Sequence, residues 1–178
     1  MNYKHIILTR FNLQYDLQSN IHIQDSWLEE RFRLFEQYCF PSIIAQTNQQ
    51  FDWVILVSDQ TPKNYLSRLA KHTNSHLNIY IELCTYYEDV NVLYNNIGEK
   101  YVHGYDYLLS TRVDNDDMLA KDFVETLQKL LPATHASAVL TFTNGIQWFE
   151  HKDMAFAVAS CLLLQLELLL ELLLELLL

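Results

Sequence analysis

From Tyr3 to about Glu150 the chain alternates short, continuous apolar runs with segments of helical period. Lys4–Thr9 (KHIILT), Trp53–Ser58 (WVILVS), Asn78–Leu83 (NIYIEL) and Tyr105–Thr111 (YDYLLST) have the length and character of buried strands. Leu28, Phe32, Phe35, Cys39 and Ile43 recur every three or four residues and predict an amphipathic helix. Ser26 and Glu29 have the spacing of a capping box at its start, and Pro41 should break or kink it at Phe40. Thr61-Pro62 reads as an N-cap followed by proline at the first helical position, with Leu66 and Leu69 inward. Val90, Leu93, Tyr94, Ile97 and Tyr101 mark a further helix. Leu119, Phe123, Leu127 and Leu130 mark another, stopped by Pro132. Ala138–Thr143 and Ile146–Phe149 flank Asn144-Gly145, a hairpin signal because both turn positions tolerate positive φ. Strand–helix alternation of this kind predicts an α/β fold: a mostly parallel sheet in three layers, with a C-terminal hairpin.

Residues 161–178, CLLLQLELLLELLLELLL, leave that pattern. The sequence therefore divides into a domain over 1–160 and a low-complexity tail over 161–178. The tail is expected to be helical. Glu167, Glu171 and Glu175 recur every four residues rather than every seven, so no coiled coil is specified. Glutamates inside a span are costly in lipid. Self-association or weak membrane contact is the expected role of its leucine face.

Composition narrows the function. Half the 178 residues are hydrophobic and 19% are charged, which excludes a disordered chain. A formal charge of -10 argues against a general nucleic-acid binder. The three glycines, Gly98, Gly104 and Gly145, cannot form G-x-G-x-x-G or G-x-x-x-x-G-K-[ST], so a phosphate must be held by side chains, a helix end or a metal. Cys39, Cys84 and Cys161 have no C-x-x-C spacing. They read as small reduced hydrophobes, and with no leader-like apolar run near the start they point to a cytoplasmic setting.

Ligands of open parallel sheets sit beyond the carboxyl ends of the strands. The first strand ends in Thr9-Arg10, the second in Asp59, and the fourth in Arg112 followed by Asp114-Asn115-Asp116-Asp117. Three carboxylates within four residues repel one another unless a cation or several donors sit among them. Hard oxygen ligands suit Mg²⁺ or Mn²⁺, especially with phosphate oxygens completing the shell. The bland alternatives are an acidic turn that caps the following helix, surface arginines at 10 and 112, and a turn starting at Asp59. An EF-hand loop fails, because Met118 and Leu119 fall where an oxygen ligand and a glycine are needed. The seven histidines show no H-E-x-x-H spacing and read as surface or satisfied core residues.

Ile7-Leu8-Thr9-Arg10-Phe11-Asn12, Pro41-Ser42-Ile43 through Gln46, Phe51-Asp52-Trp53 through Asp59, Ser110-Thr111-Arg112-Val113-Asp114-Asn115-Asp116-Asp117 and Phe142-Thr143-Asn144-Gly145 resemble the rhamnosyltransferase family, a branch of the GT-A glycosyltransferases. The resemblance covers roughly residues 3–157. It implies a Rossmann-like, nucleotide-sugar-binding half in which Asp114 and Asp116 form the D-x-D pair, followed by Asp117. These would hold a divalent metal, Mg²⁺ or Mn²⁺, on the donor diphosphate. Thr9, Arg10 and Arg112 would lie at the nucleotide sugar, with Asp114 also contacting it and Asp59 approaching the base. Transfer of rhamnose or a related sugar from a nucleotide-diphosphate donor to a glycan acceptor would follow, as in polysaccharide biosynthesis. The resemblance also implies a continuation into an acceptor-binding region, whose place the leucine repeat takes here. Glu150 and Asp153 are the nearest candidates for a catalytic base. Two alternatives remain open at this point: a nucleotide-sugar-binding remnant without turnover, and a metal-dependent phosphohydrolase.

Overall fold

The computed structural model describes residues 2–14, 18–85, 90–131, 142, 145–149, 152 and 154–158. The strands are β1 (Tyr3–Arg10), β2 (Asp52–Ser58), β3 (Ile79–Cys84) and β4 (Tyr107–Arg112), all parallel in the order β3-β2-β1-β4. Ile7 is the partner of Trp53 on one side and of Thr111 on the other. A second, antiparallel sheet pairs β5 (Gly145–Phe149) with β6 (Met154–Val158).

Both faces of the parallel sheet are covered. Ile7, Trp53, Ile55, Val57 and Leu109 pack under α1 (Asp25–Leu34), α2 (Phe40–Ile44), α3 (Lys63–Thr73) and α5 (Phe123–Leu130). Ile6, Leu8, Val54, Leu56 and Leu108 meet Leu93 and Ile97 of α4 (Val90–Val102) on the other face. Burial of each such side chain contributes roughly 1.5–3 kcal/mol. This is the α/β arrangement expected from the alternating pattern. The chain steps from β1 outward to β2 and β3, then crosses to the far side of β1 for β4. The order therefore reverses between β1 and β4, and a crevice opens beyond their carboxyl ends.

Several local expectations are corrected. α1 begins at Asp25 after an extended Gln24 (φ −75°, ψ 137°) with no side-chain cap, so Ser26 lies inside the helix and Glu29 reaches Arg68 instead. Pro62 (φ −59°, ψ 143°) stands immediately before α3, and Thr61 accepts a hydrogen bond from Asn12 instead of capping. Leu28, Phe32, Phe35, Cys39 and Ile43 are all buried, yet the helix is not uniform. A π turn over Phe35–Cys39, closed by the Phe40 N–H on the Phe35 carbonyl, joins α1 to α2. The wider turn places Pro41 in the first turn of α2, where no backbone donor is required. α5 starts at Phe123, and its inward stripe is Phe123, Val124, Leu127 and Leu131, leaving Leu130 42% exposed. Ile146–Phe149 lies in β5 and pairs with β6; residues 138–141, 143 and 144 of the expected hairpin lie outside the described residues. So do Cys161, Glu150, His151, Asp153 and the whole 161–178 tail. Among the described residues no helix is long and apolar enough to cross a membrane.

Candidate functional site at the β1–β4 crevice

Alternation along β1 sends consecutive side chains to opposite faces, and this sorts the candidates. Thr9 is fully buried, and its hydroxyl accepts the Trp53 indole N–H at 2.9 Å. Its side chain belongs to the core and does not reach the crevice. Arg10 points the other way and grips Asp114, with Nη2 at 3.1 Å from Oδ1 and 3.3 Å from Oδ2. Asp59 is exposed at the end of β2, its N–H bonded to the Cys84 carbonyl, and does not line the crevice. Arg112, half-buried at the end of β4, acts electrostatically on Tyr94 of α4.

The turn after β4 is fastened to the exit of β1. The Val113 N–H donates to the Leu8 carbonyl at 2.9 Å, and the buried Asn115 amide donates to the Phe11 carbonyl at 2.7 Å. The Asp117 N–H closes the turn on the Asp114 carbonyl. From α1, Arg31 donates to Asp116 Oδ2 (2.8 Å) and to the Asn115 side-chain Oδ1 (3.4 Å), with its guanidinium over the Trp27 ring. These residues, with Ser19, Ile21 and His22, enclose a cleft of about 340 Å³. A larger depression lies across α1 and α3, but there Arg33 and Arg68 are already met by Glu30, Glu29 and Glu36.

Both ion pairs of the cleft are partly exposed, and pairs of that kind are worth about 1 kcal/mol or less. An incoming anion with several oxygens can therefore compete for either arginine. The cleft is also under-satisfied. Among the described residues three buried side-chain atoms lack a hydrogen-bond partner: His22 Nε2, Arg31 Nε and the Tyr94 hydroxyl. The first two residues line the cleft, and burial pushes the Tyr94 phenol up while Arg10 and Arg112 act to lower it. Buried polar atoms left this way in a native fold ask for an explanation, and a ligand supplies one. Sequence spacing flagged none of the three. Arg31 sits in an ordinary charged helix, and His22 is a lone histidine between two isoleucines.

Whether Asp114–Asp117 suits a divalent ion can be judged from the donors. No three His, Cys, Asp or Glu side chains converge among the described residues. A diphosphate-bound Mg²⁺ or Mn²⁺ needs only one or two protein carboxylates, however, and these are hard oxygens at the cleft wall. The Asp117 carboxyl is pushed up to about 6, by burial first and then by the charges of Asp116 and Asp114. Asp114 and Asp116, paired with Arg10 and Arg31, line the cleft, and their carboxylate oxygens are the ones that fit such an ion.

Residues 5–168 match the profile of a family described as putative rhamnosyl transferase. Among solved structures, the chain is similar to a crystal structure of S. aureus TarS 1-349, at 17% identity and a TM-score of 0.49, covering 79% of this chain and 35% of that one. A second crystal structure of S. aureus TarS matches at 18% identity and a TM-score of 0.47, covering 84% of this chain and 23% of that one. The chain thus spans about a third or less of those proteins. No curated protein matches.

Proposed function

The chain belongs to the putative rhamnosyl transferase family, and from that premise we propose that the β1–β4 crevice binds a nucleotide-diphosphate sugar and hands its sugar to a glycan hydroxyl. The observation that carries this reading is the pairing of two displaceable arginines, Arg10 and Arg31, with the carboxylates of the Asp114–Asp117 turn at the reversal of strand order. A diphosphate brings oxygens to the arginines and, with a metal, to the carboxylates.

In the reaction, the acceptor oxygen attacks the anomeric carbon while the bond to the diphosphate oxygen breaks, its electron pair leaving with the diphosphate. Arg10 and Arg31 would hold that leaving group by charge-assisted hydrogen bonds. Asp114 and Asp116 would hold Mg²⁺ or Mn²⁺, which supplies charge neutralisation at the departing oxygens. The hydroxyl proton goes to a base, for which Glu150 and Asp153 remain the candidates drawn from the sequence. Rhamnose or a related sugar is the proposed donor sugar. A cytoplasmic setting suits a nucleotide donor and the buried free thiols of Cys39 and Cys84.

A second reading, binding without turnover, is favoured by one feature. Each carboxylate lining the cleft, Asp114 and Asp116, is engaged by an arginine and so is poorly placed to accept a proton. Titrating uridine-, guanosine- and thymidine-diphosphate sugars with and without Mn²⁺, then assaying sugar transfer and phosphate release, separates the readings. Transfer supports the first, binding alone the second, and free phosphate a phosphohydrolase. No binding by any member of the panel would overturn both sugar-nucleotide readings.

A further inference from the structure

His22 is one of seven histidines and carries no recognisable motif, yet its placement is specific. It lies in a short 3₁₀ turn, Ile21–Ile23, between β1 and α1, and only 4% of its surface is exposed. Its backbone carbonyl accepts the Asn12 amide at 3.0 Å, and Asn12 is itself fixed by Thr61 Oγ1 (2.7 Å) and the Ser58 N–H (3.2 Å). The turn is therefore pinned to the end of β2, and the imidazole is delivered to the cleft wall on a rigid mount.

The ring has two nitrogens with different situations. One interacts with the Ser19 backbone, while Nε2 is buried and without a partner. The Ser19 backbone acts to raise the imidazole pKa, as an acceptor of a ring N–H does, which assigns the proton to Nδ1 and a lone pair to Nε2. Burial lowers the imidazole pKa, which keeps the ring neutral. Arg31, which also lines the cleft, carries another unpartnered atom, Nε, which can only donate. Arginines that donate to anionic oxygens and a histidine that only accepts describe a ligand with both phosphate oxygens and hydroxyl groups.

Resting on the nucleotide-sugar reading above, we propose that His22 Nε2 accepts a hydrogen bond from a hydroxyl of the bound donor, on its ribose or its sugar ring, and thereby selects donors that present one there. A buried acceptor left unpaired by a ligand lacking that hydroxyl discriminates against it strongly.

The test is calorimetry in the presence of Mn²⁺ with the tightest-binding nucleotide-diphosphate sugar of the panel and with its nucleoside diphosphate alone. His22→Phe keeps the ring's bulk and the Asn12 contact to its backbone but removes the lone pair. It should bind the sugar nucleotide roughly tenfold more weakly, and His22→Gln, which restores an acceptor, should recover part of the loss. Equal losses for both ligands assign the ribose hydroxyl, and a loss confined to the sugar nucleotide assigns the sugar ring. Unchanged affinity in His22→Phe, with wild type binding normally, overturns the role of His22 and leaves the donor site standing. No binding by wild type overturns both. Should His22→Phe fail to fold, the imidazole ¹⁵N spectrum of the wild-type protein decides. Donor addition should shift the unprotonated Nε2 resonance, and an unmoved resonance overturns the proposal.

Discussion

Replacing Thr9 by valine would strand the Trp53 indole N–H in a part of the core that neither residue shares with water. An unsatisfied buried donor costs about 1–3 kcal/mol. Thr9→Val should therefore lower the melting temperature while calorimetry finds donor affinity unchanged. At Arg10 the expectation is the reverse. Arg10→Lys exchanges a planar fork for a point charge, so donor affinity should fall with little change in melting temperature, and an unaltered isotherm would remove Arg10 from the site. Asp116→Asn should cost more than the 10–100-fold typical of an outer-shell change around a metal. Equal Mn²⁺-dependent affinity in wild type and Asp116→Asn would refute its assignment as a ligand. The neighbours Thr9 and Arg10 show what was legible at this scale. The strand and its polar end could be read from KHIILTR, but a strand buried on both faces has no polar–apolar alternation to tell which side chain faces the crevice. His22 and Arg31 had no legible signal, since their roles arise from atoms left unpaired in three dimensions.

Between elements, a buried polar pin was also invisible in the sequence. His5 on β1 is 1% exposed; its Nε2 lies 3.0 Å from the Thr111 hydroxyl of β4, and Gln128 of α5 donates to its Nδ1 at 3.1 Å. Gln128 in turn meets the Gln50 carbonyl and the Asn48 amide. Burial lowers the His5 pKa from 6.5 to about 3. The unfolded chain takes up a proton there that the folded chain refuses, so stability is fully present above about pH 6.5 and declines as pH falls toward 3. The slope is about 1.4 kcal/mol per pH unit. Denaturant titrations between pH 7 and 4 should show this slope reduced in His5→Asn, which does not titrate and keeps an acceptor near the Nδ1 position for Gln128; an identical slope would place the acid sensitivity elsewhere. Element identity was readable for all four parallel strands because their apolar runs are long. Helix ends were less so. Ser26 and Thr61 have the right chemistry for caps, but the chain folds with Gln24 and Pro62 in the capping positions because Glu29 and Thr61 find tertiary partners. The inward stripe that the periodicity showed stays buried across the π turn before Pro41.

At the scale of the whole molecule, alternation of strands and helices was enough for the fold class, and the family match over residues 5–168 spans most of the chain. The strand order was not readable, because a run of apolar residues does not name its neighbour. That order has a kinetic consequence. β1 sits between β2 and β4, and the two halves of the β1–β4 cleft, Arg10 and Asp114, are 104 residues apart. Contacts of such separation close late, since the entropy of the intervening loop must be overcome before they stabilise anything. The β1-β2-β3 segment has shorter connections and can assemble first, leaving one edge of β1 open until β4 docks. A refolding molecule should thus bury Trp53 before it can bind a nucleotide, so fluorescence recovery runs ahead of ligand capture. A donor that recognises only the completed sheet should slow unfolding while leaving the refolding rate unchanged.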